Sequence, residues 1–506
     1  MFSRKNWRFF LMVILGATLA VIFTAMIDRE NKMCMGVEVV SFDCYPNEKT
    51  EDDIDVGEYI LFQGEKAAYD KRSNIIYIPN EIDKTTTIKD MKGILEIALK
   101  EYQLKFIYCP QFDNLYQAVK ENHHFQLVAT DGQSYKKFDI VFTTLPVVSL
   151  YQEEIIGKTG DRDIYSGTVT MWAPNDKSTG TLSTYSGNID YHYRGNSSFY
   201  GYKKSFKLAF REDDGSNRNI EFLGMGKDDD WILNGMVFDA VKINEKLCMD
   251  LWNEYVKDAS YNIKMSTAEY VEVLQDGKYR GVYLLQRRLD PKYLNLSDKD
   301  ILFRKTNLSD DIVEQDYEIK YSPYSSEKTY EIIKNIFVEK DYSVIDRDNL
   351  ADVNVFMEFG GMYDNMVKNM YYVLKDVGNG YVMYFLPWDT DMVFGVVGAP
   401  SGFKYDKTNA LMGTAYRPET VLYYNTDSDI YNTMADKWKT MRGTVFTDEN
   451  IHNKINEYVT LLNDSGVYIR EQEKWEMNLY NGLQTIESVS DYIDKKLEMM
   501  DYKYIE

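Results

Sequence analysis

The segment DNMVKNMYYVLKDVGNGYVMYFLPWDTD, residues 364–391, carries the most informative pattern in this chain. Asp364 and Asn369 lie five positions apart, and an apolar, strand-like run then ends in Asp389 and Asp391. A strand that comes from the core and ends in alternating carboxylates is atypical of a solvated face. Magnesium prefers oxygen ligands and takes one or two carboxylates from a protein. The segment therefore predicts a metal site formed by Asn369 and Asp389, with Asp391 as a further ligand.

Composition excludes several classes of function. The 506 residues include 80 acidic and 58 basic side chains, which gives a net charge of −22. Such a charge repels nucleic-acid phosphates, so we expect no nucleic-acid partner. The four Cys form no CxxC pair, and only four His are present, which argues against zinc hydrolysis and against a Ser-His-Asp triad.

The N-terminus carries one candidate membrane span. Residues 9–27 are 19 uncharged residues, which span about 28 Å as a helix. Arg4, Lys5 and Arg8 precede the run, so the positive-inside rule leaves residues 1–8 as a cytoplasmic stub. We predict a single-pass signal anchor with the main domain extracytoplasmic. A cleaved signal peptide, and hence a secreted protein, is the alternative.

The remaining chain divides into two predicted domains. Residues 36–144 read as a β-rich accessory domain, with a helix over 88–101 and no cluster of catalytic residue types. Residues 145–506 begin with strands and a hairpin that turns at Asp276-Gly277, and end with helices, one of them capped by Thr447. A strand-rich half followed by a helical half predicts a bilobal α+β enzyme.

A second segment, YRGNSSFYGYKKSFKLAF at residues 193–210, contains residue types that are suited to phosphate binding. Its Gly-, Asn- and Ser-rich loop, which includes Ser197 and Ser198, is suited to presenting backbone N–H groups to phosphate oxygens. Alternation puts Lys204 on the apolar face of the strand that follows, where it needs an anionic partner such as a nucleotide phosphate. A lysine whose head reaches water is the alternative, and Lys203 and Lys207 fall on the other, solvated face.

Taken together, these segments resemble the spore-coat protein H (CotH) kinase family. The resemblance rests on an ordered series of motifs over roughly residues 145–445. They are Tyr193-Arg-Gly-Asn-Ser-Ser198 with Lys203-Lys-Ser-Phe-Lys-Leu208, Asp230-Trp231, Asn244-Glu-Lys-Leu247 with Leu251-Trp252, Gly277-Lys-Tyr-Arg-Gly-Val-Tyr-Leu-Leu285, Asp364 with Asn369, Leu386-Pro-Trp-Asp-Thr-Asp391, and Lys437-Trp438 with Arg442.

The resemblance implies an atypical, bilobal protein-kinase-like fold. It also implies an enzyme that uses ATP and Mg²⁺ (or Mn²⁺ or Ca²⁺) to phosphorylate Ser or Thr of a protein substrate. The residue roles that it implies are Asp364 as the catalytic Asp; Asn369 and Asp389, helped by Asp391, as metal ligands; and Arg194 and Lys204 as phosphate contacts, with Lys207 as the runner-up and Ser197 and Ser198 in the phosphate loop.

Two departures from the family pattern keep other functions open. The family often has a Glu where this chain has Gln286-Arg287-Arg288, and an Arg where it has Ile243. A catalytically inactive, kinase-like module that binds a surface or a cell wall is therefore the main alternative. A glycosidase that uses paired carboxylates is a third hypothesis, but no residue stands out as its general acid.

Overall fold

The computed structural model describes most of the chain after residue 60. The described residues are 38–41, 60–86, 97–99, 102–108, 114–130, 135–174, 183–195, 197–306, 316–339, 341–362, 364–365, 368–399, 402–405, 428–475 and 484–506. The predicted anchor over residues 9–27 lies outside them and stays a prediction. Within these ranges, the structure contains no helix with the length and apolar character needed to cross a bilayer.

The first part of the chain is rich in strands. Its elements are β1 (Glu38–Ser41), β2 (Ile60–Phe62), β3 (Glu65–Lys66), β4 (Ala68–Asp70), β5 (Ile75–Pro79), β6 (Ile97–Leu99), β7 (Gln103–Tyr108), α1 (Leu115–Lys120), β8 (Phe125–Thr130) and β9 (Tyr135–Thr143). Six strands form a sheet in the order β1-β7-β8-β9-β5-β4, and three form a second sheet in the order β3-β2-β6.

The helix predicted over residues 88–101 is wrong where the structure describes it. Residues 97–99 form β6, which pairs antiparallel with β2. Burial alternates along β6, because Ile97 and Leu99 are buried and Ala98 is partly exposed. Ladder hydrogen bonds to β2 and burial with a period of two therefore override the helical spacing of the apolar residues.

A closed barrel follows the accessory sheets. Its region contains β10 (Val147–Thr159), β11 (Arg162–Ala173), β12 (Ser183–Arg194), β13 (Ser205–Arg211), β14 (Ile220–Glu221), β15 (Lys227–Asp228), β16 (Asp230–Asn234), α2 (Asn244–Tyr255), β17 (Ala268–Gln275) and β18 (Lys278–Arg287). The barrel order is β10-β11-β12-β13-β16-β18-β17, while β14 and β15 pair separately. The predicted hairpin is confirmed: Asp276 (φ 51°) and Gly277 (φ 65°) form its turn in the left-handed region.

The second half of the chain is mostly helical. It contains β19 (Ile301–Lys305), β20 (Tyr317–Tyr321), α3 (Ser326–Phe337), α4 (Arg347–Gly360), β21 (Met370–Asp376), β22 (Tyr381–Pro387), β23 (Val396–Ala399), β24 (Gly402–Tyr405), α5 (Ser428–Arg442), α6 (Asp448–Asp464), α7 (Val467–Lys474) and α8 (Ile486–Tyr504). Four strands form a sheet in the order β20-β19-β21-β22. Thr447 caps α6 as predicted, since its side chain accepts from Asn450 N at 3.1 Å. The α+β fold class is confirmed.

Helix α7 joins the three parts of the molecule. The buried Arg470 guanidinium pairs with buried Glu272 of the barrel at 2.7 Å and donates to Asn122 and Thr143 of the first part. The next residue, Glu471, accepts from buried Lys203 at 2.6 Å. Gly281 leaves room for this carboxylate, because a Cβ there would lie 1.9 Å from Glu471 Oε2.

Candidate functional site

A cleft of about 580 Å³ lies between the barrel and the sheet formed by β19 to β22. Strands β10 to β13 and β16 contribute one wall, and β19 to β21 with the segments around Asp364 and Asp389 contribute the other. Eight of the lining residues are Arg or Lys and four are Asp or Glu. In a chain of net charge −22, this local excess of positive charge marks a site for an anion.

The antiparallel pairing of β21 and β22 brings the two halves of the acidic segment together. Met370 at the start of β21 pairs with Pro387 at the end of β22. Asn369 and Asp389 flank these positions, so they lie at the same end of the hairpin. Both have a left-handed backbone, with φ of 56° and 63°. This conformation costs on the order of 1 kcal/mol for a residue other than Gly, and such strain is frequent at functional sites.

Asp364 contacts the predicted metal ligand Asn369 directly. Asn369 Nδ2 donates to Asp364 Oδ2 at 2.6 Å, and Lys368 Nζ lies 3.4 Å from the same oxygen. Asp364 follows the end of α4, where Gly361 adopts a left-handed C-cap. The structure thus brings the predicted catalytic Asp and the predicted metal-binding Asn into one hydrogen-bonded pair.

Asn365 fixes the two segments to each other. Its Nδ2 donates to the carbonyl oxygens of Asn369 (3.1 Å) and Trp388 (2.7 Å), and Trp388 N donates to Asn369 O at 2.9 Å. The Asn365 side chain is buried. The sequence pattern predicts no role for Asn365, and only its position next to Asp364 points to it.

The buried carboxyl groups of Asp391 and Glu245 both interact electrostatically with Asp389. Burial, followed by repulsion from Asp389, Glu245 and Asp239, raises the pKa of Asp391 well above its usual range. Burial and the Asp389 carboxylate likewise raise the pKa of Glu245 to about 8. Glu245 lies on α2 and accepts from Asn234 Nδ2 (2.5 Å) and Gln286 Nε2 (3.0 Å). A bound cation would relieve this repulsion.

The donor set fits a magnesium-like ion. In the part of the chain that the structure describes, no donor hydrogen-bonds to the Asp389 or Asp391 carboxylate and no cation lies within 4 Å of either, although Arg194 interacts with Asp389 at longer range. Asn369 adds an amide oxygen, so the set is two carboxylates and one amide, which leaves positions for water and phosphate oxygens. Across the described ranges, no group of three or more His, Cys, Asp or Glu side chains is arranged to hold a metal by itself. The set therefore matches a metal that is shared with a ligand rather than enclosed by protein.

The basic residues of the cleft, which come from both walls, carry more positive charge than their carboxylate partners offset. Lys207 (3.0 Å) and Arg288 share Asp230, while Arg304 (2.7 Å) and Lys320 share Glu318. Burial and the neighbouring Arg304 lower the pKa of Lys320 to about 8. Because each of these two carboxylates is shared by two cations, the cleft retains positive charge for a bound anion.

Arg194 brings a further positive charge next to the acidic segment. Its guanidinium lies over the Trp388 ring, 5.7 Å from the centroid, beside Asp389. Burial lowers the pKa of Arg194, and the Asp389 carboxylate partly opposes that effect. The side chain therefore sits where a phosphate group between metal and protein would need a positive charge.

The structure brings most of the predicted site residues into the cleft. Those that line it are Arg194, Ser198, Lys207, Asp364, Asn369, Asp389 and Asp391. The side chain of Ser197 lies outside the described residues, so its predicted contact stays a prediction. The cleft residues that the sequence analysis did not assign include Arg162, Arg288, Arg304, Lys305 and Lys320. They come from β11, β19, β20 and the residue after β18, so only the folded structure brings them together.

Lys204 does not line the cleft. Its Nζ donates to Phe199 O and lies over the Phe199 ring. The predicted alternation holds within β13, where Phe206, Leu208 and Phe210 are fully buried. It does not extend to Lys204, because β13 begins only at Ser205 and residues 201–203 form a bend. Ser205 and Lys207 face the cleft instead, and Lys203, predicted on a solvated face, is fully buried against Glu471.

Of the comparisons with known proteins, the family model supports the resemblance. No curated protein sequence matches significantly. A crystal structure of a Helicobacter pylori proinflammatory kinase, CtkA, matches 59% of this chain and 91% of that chain, at 10% identity and a TM-score of 0.28. A superposition this loose relates no individual residues of the two proteins. The family model described as CotH kinase protein matches residues 191–500. Since this range covers more than half of the 506 residues, the chain belongs to the CotH kinase family.

Proposed function

We propose that this protein is an active kinase that transfers phosphate from ATP to Ser or Thr of a protein substrate with the help of a divalent metal. The supporting observation is a single cleft in which Asp364, Asn369, Asp389 and Asp391 share the space with eight basic residues. Phosphoryl transfer depends mainly on positioning and on stabilising negative charge, and this arrangement serves both.

The chain's own residues take separate roles in this proposal. Asp364 accepts the proton of the substrate hydroxyl, while Asn369 and Lys368 orient its carboxylate. Asn369, Asp389 and Asp391 would hold the metal, which when bound neutralises charge on the phosphate oxygens. Lys207, Arg288 and Arg194 would contact the phosphates from the opposite wall.

The two departures from the family pattern are compatible with activity. Gln286 is buried and donates to Glu245, so it supports a carboxylate on α2 next to the metal-binding segment. Ile243 is fully buried in the core, immediately before α2 begins. The same helix is tied to that segment by Asn244, whose Nδ2 donates to Asp391 O at 3.3 Å.

The proposal is tested by nucleotide binding to the full-length protein, measured by calorimetry with Mg²⁺, Mn²⁺ or Ca²⁺. Wild type should bind ATP only with metal, and Asp389→Ala should weaken binding at least tenfold. Asp436→Ala, which removes an exposed carboxylate far from the cleft, should bind like wild type. If ATP and ADP fail to bind with all three metals, the inactive binding module becomes the better hypothesis.

A second measurement separates binding from catalysis. Asp364→Asn keeps the size of the side chain but removes the proton acceptor. We expect phosphate transfer to a protein hydroxyl to fall about 10²–10⁴-fold while ATP binding stays within a few-fold of wild type. Unchanged transfer by this variant would remove Asp364 from the mechanism.

A further inference from the structure

A second cavity, of about 610 Å³, lies where the first part of the chain, the barrel and α7 meet. Its lining comes from the β4–β5 hairpin, the residues after α1, β18, the bend before β13 and the end of α7. It shares no lining residue with the cleft around Asp364. Its volume is typical of sites for small organic ligands. We call it the junction pocket, and its lining includes Arg72, Tyr77, Tyr202, Tyr279, Lys474 and Trp475.

Four aromatic side chains supply much of the apolar surface of the junction pocket. Tyr77 of β5 stacks on Tyr279 of β18, with ring centroids 4.6 Å apart and planes 8° from parallel. Tyr202 and Trp475 meet edge to face at 5.2 Å, and both are partly exposed. Aromatic walls of this kind are suited to a ligand with a planar ring, which can stack on them or meet them edge to face.

Unpaired cations surround these aromatic walls. Arg72, in the turn between β4 and β5, and Lys474, in the last turn of α7, have no ion-pair partner within the described ranges. Burial lowers the pKa of Lys474; Asp70 opposes this effect, and the neighbouring Arg280, Arg72 and Lys278 add to it. In a chain of net charge −22, such a group of cations attracts an anion.

The carboxylates that line the junction pocket do not pair with these cations. Asp70 accepts from three backbone N–H groups at 2.9–3.2 Å, which fix the turn that carries Arg72. Glu473 is exposed and accepts from Asn122 Nδ2 at 3.2 Å. Across the described residues, neither carboxylate lies within 4 Å of the charged group of Arg72 or Lys474. Both cations therefore keep their donors for a ligand.

A buried hydroxyl adds a further donor to the junction pocket. The Tyr77 side chain is only 4% exposed, and its hydroxyl makes no hydrogen bond within the part of the chain that the structure describes. Burial raises the pKa of Tyr77, so this hydroxyl stays protonated and can donate at neutral pH. Buried polar groups normally have a hydrogen-bond partner, and an anionic oxygen in the pocket would supply the missing acceptor.

We propose that the junction pocket binds a small organic anion with a planar ring, such as an aromatic carboxylate. The ring packs against the aromatic walls, and the charged group accepts from Arg72, Lys474 and the Tyr77 hydroxyl. The site is independent of phosphoryl transfer, because it and the cleft have no residue in common.

The probe is 2-naphthoate, and its binding to the full-length protein is measured by calorimetry. The reference compound is 2-naphthylmethanol, which has the same rings without the charge. We expect 2-naphthoate to bind at least about tenfold more tightly, because charge-assisted hydrogen bonds are stronger than neutral ones. Cyclohexanecarboxylate, which has the charge without a planar ring, should also bind more weakly than 2-naphthoate. Equal affinities for 2-naphthoate and the alcohol, or no binding of 2-naphthoate at millimolar concentration, would overturn the proposal.

Substitutions of the cations test where the probe binds. Arg72→Met and Lys474→Met should each weaken 2-naphthoate binding at least about fivefold. Lys71→Met removes an exposed cation from the same turn as Arg72, but outside the pocket lining, and should bind like wild type. Lys207→Met, in the cleft, should also bind like wild type. A loss of binding in Lys207→Met, or unchanged binding in both pocket variants, would assign the probe to another site and overturn the proposal.

Two milder substitutions test the chemistry of the contact. Tyr77→Phe keeps the ring and removes only the hydroxyl, so it should weaken 2-naphthoate binding about threefold or more and leave the weak binding of 2-naphthylmethanol unchanged. Glu473→Gln removes a negative charge from the lining and should strengthen 2-naphthoate binding. Weaker binding in Glu473→Gln would show that the pocket does not select an anion.

Discussion

Asn365 and Asn349 are buried asparagines, and each joins two segments through side-chain hydrogen bonds to backbone groups. Asn365 ties Asn369 to Trp388 at the cleft end of the β21–β22 hairpin. Asn349 of α4 ties the helix to β22, since its Nδ2 donates to Phe385 O and its Oδ1 accepts from Phe385 N. Both should stabilise the fold by about 1–3 kcal/mol, because their loss leaves buried backbone groups unpaired. Of the two, only Asn365 holds together residues with a left-handed backbone, Asn369 and Asp389, that we propose as metal ligands.

This difference gives a prediction at the residue scale. Asn365→Ala should weaken Mn²⁺ binding at least tenfold, measured by the electron paramagnetic resonance of free Mn²⁺, because Asn369 and Asp389 are released from their left-handed conformations. Asn349→Ala should lower the free energy of unfolding by a similar amount and leave Mn²⁺ affinity within twofold of wild type. Equal losses of affinity in both variants would mean that Asn365 has only a structural role.

At the scale of elements, α4 contains a carboxyl group that makes stability depend on pH. Burial raises the pKa of Asp352 to about 6, although the Tyr255 (2.6 Å) and Tyr261 (3.0 Å) hydroxyls donate to it. The folded state therefore holds a proton that the unfolded state releases near the ordinary aspartate pKa of 3.8. The stabilising contribution of the protonated form is complete below pH 3.8 and is lost as the pH rises through 6.

Asp352→Asn should remove this dependence. The amide keeps the shape and stays uncharged, so the free energy of unfolding should fall less between pH 4 and 6 than in wild type, by on the order of 2 kcal/mol. Urea unfolding at several pH values measures the difference. Asp376→Asn, at the partly exposed end of β21, is the control and should retain the wild-type slope. A slope unchanged by Asp352→Asn would assign the pH dependence to other groups.

Local rules explain which elements were predictable. The Asp276-Gly277 turn and the Thr447 cap depend on a few neighbouring residues, so sequence alone identified them. The strand Ile97–Leu99 and the start of β13 at Ser205 depend on pairing with distant strands, and there the predictions failed. The same holds for the site: Asp364, Asn369 and Asp389 lie in one short segment, whereas Arg288, Arg304 and Lys320 meet only in the folded cleft.

At the scale of the whole molecule, Arg470 joins parts that lie far apart in sequence. It pairs with Glu272 of the barrel and donates to Asn122 and Thr143 of the first part, and all of these residues are buried. The family match begins at residue 191, so two of these partners lie outside it. The first part of the chain therefore helps to hold α7 in place through these hydrogen bonds. The same helix positions Glu471 against Lys203.

Removal of this guanidinium should destabilise the entire protein. Arg470→Met leaves the Glu272 carboxylate buried without its cation, and we expect a loss of about 3–5 kcal/mol in the free energy of unfolding. Urea unfolding measures it, and the double variant Arg470→Met/Glu272→Met should recover most of the loss. Arg218→Met, which removes a partly exposed cation 3.8 Å from Glu212, should change stability by less than about 1 kcal/mol. A small effect of Arg470→Met alone would show that water reaches Glu272.

The barrel closes through only four residue pairs between β10 and β17, and this short ladder has a mechanical consequence. The chain leaves β9 at Thr143 and enters β10 at Val147, so tension applied to the N-terminal part passes straight into the four-residue ladder between β10 and β17. The same strand extends to Thr159 at the cleft, with two β-bulges between Gln152 and Gly157. A pulling force on the first part of the chain would thus be transmitted along β10 from its point of attachment to the cleft.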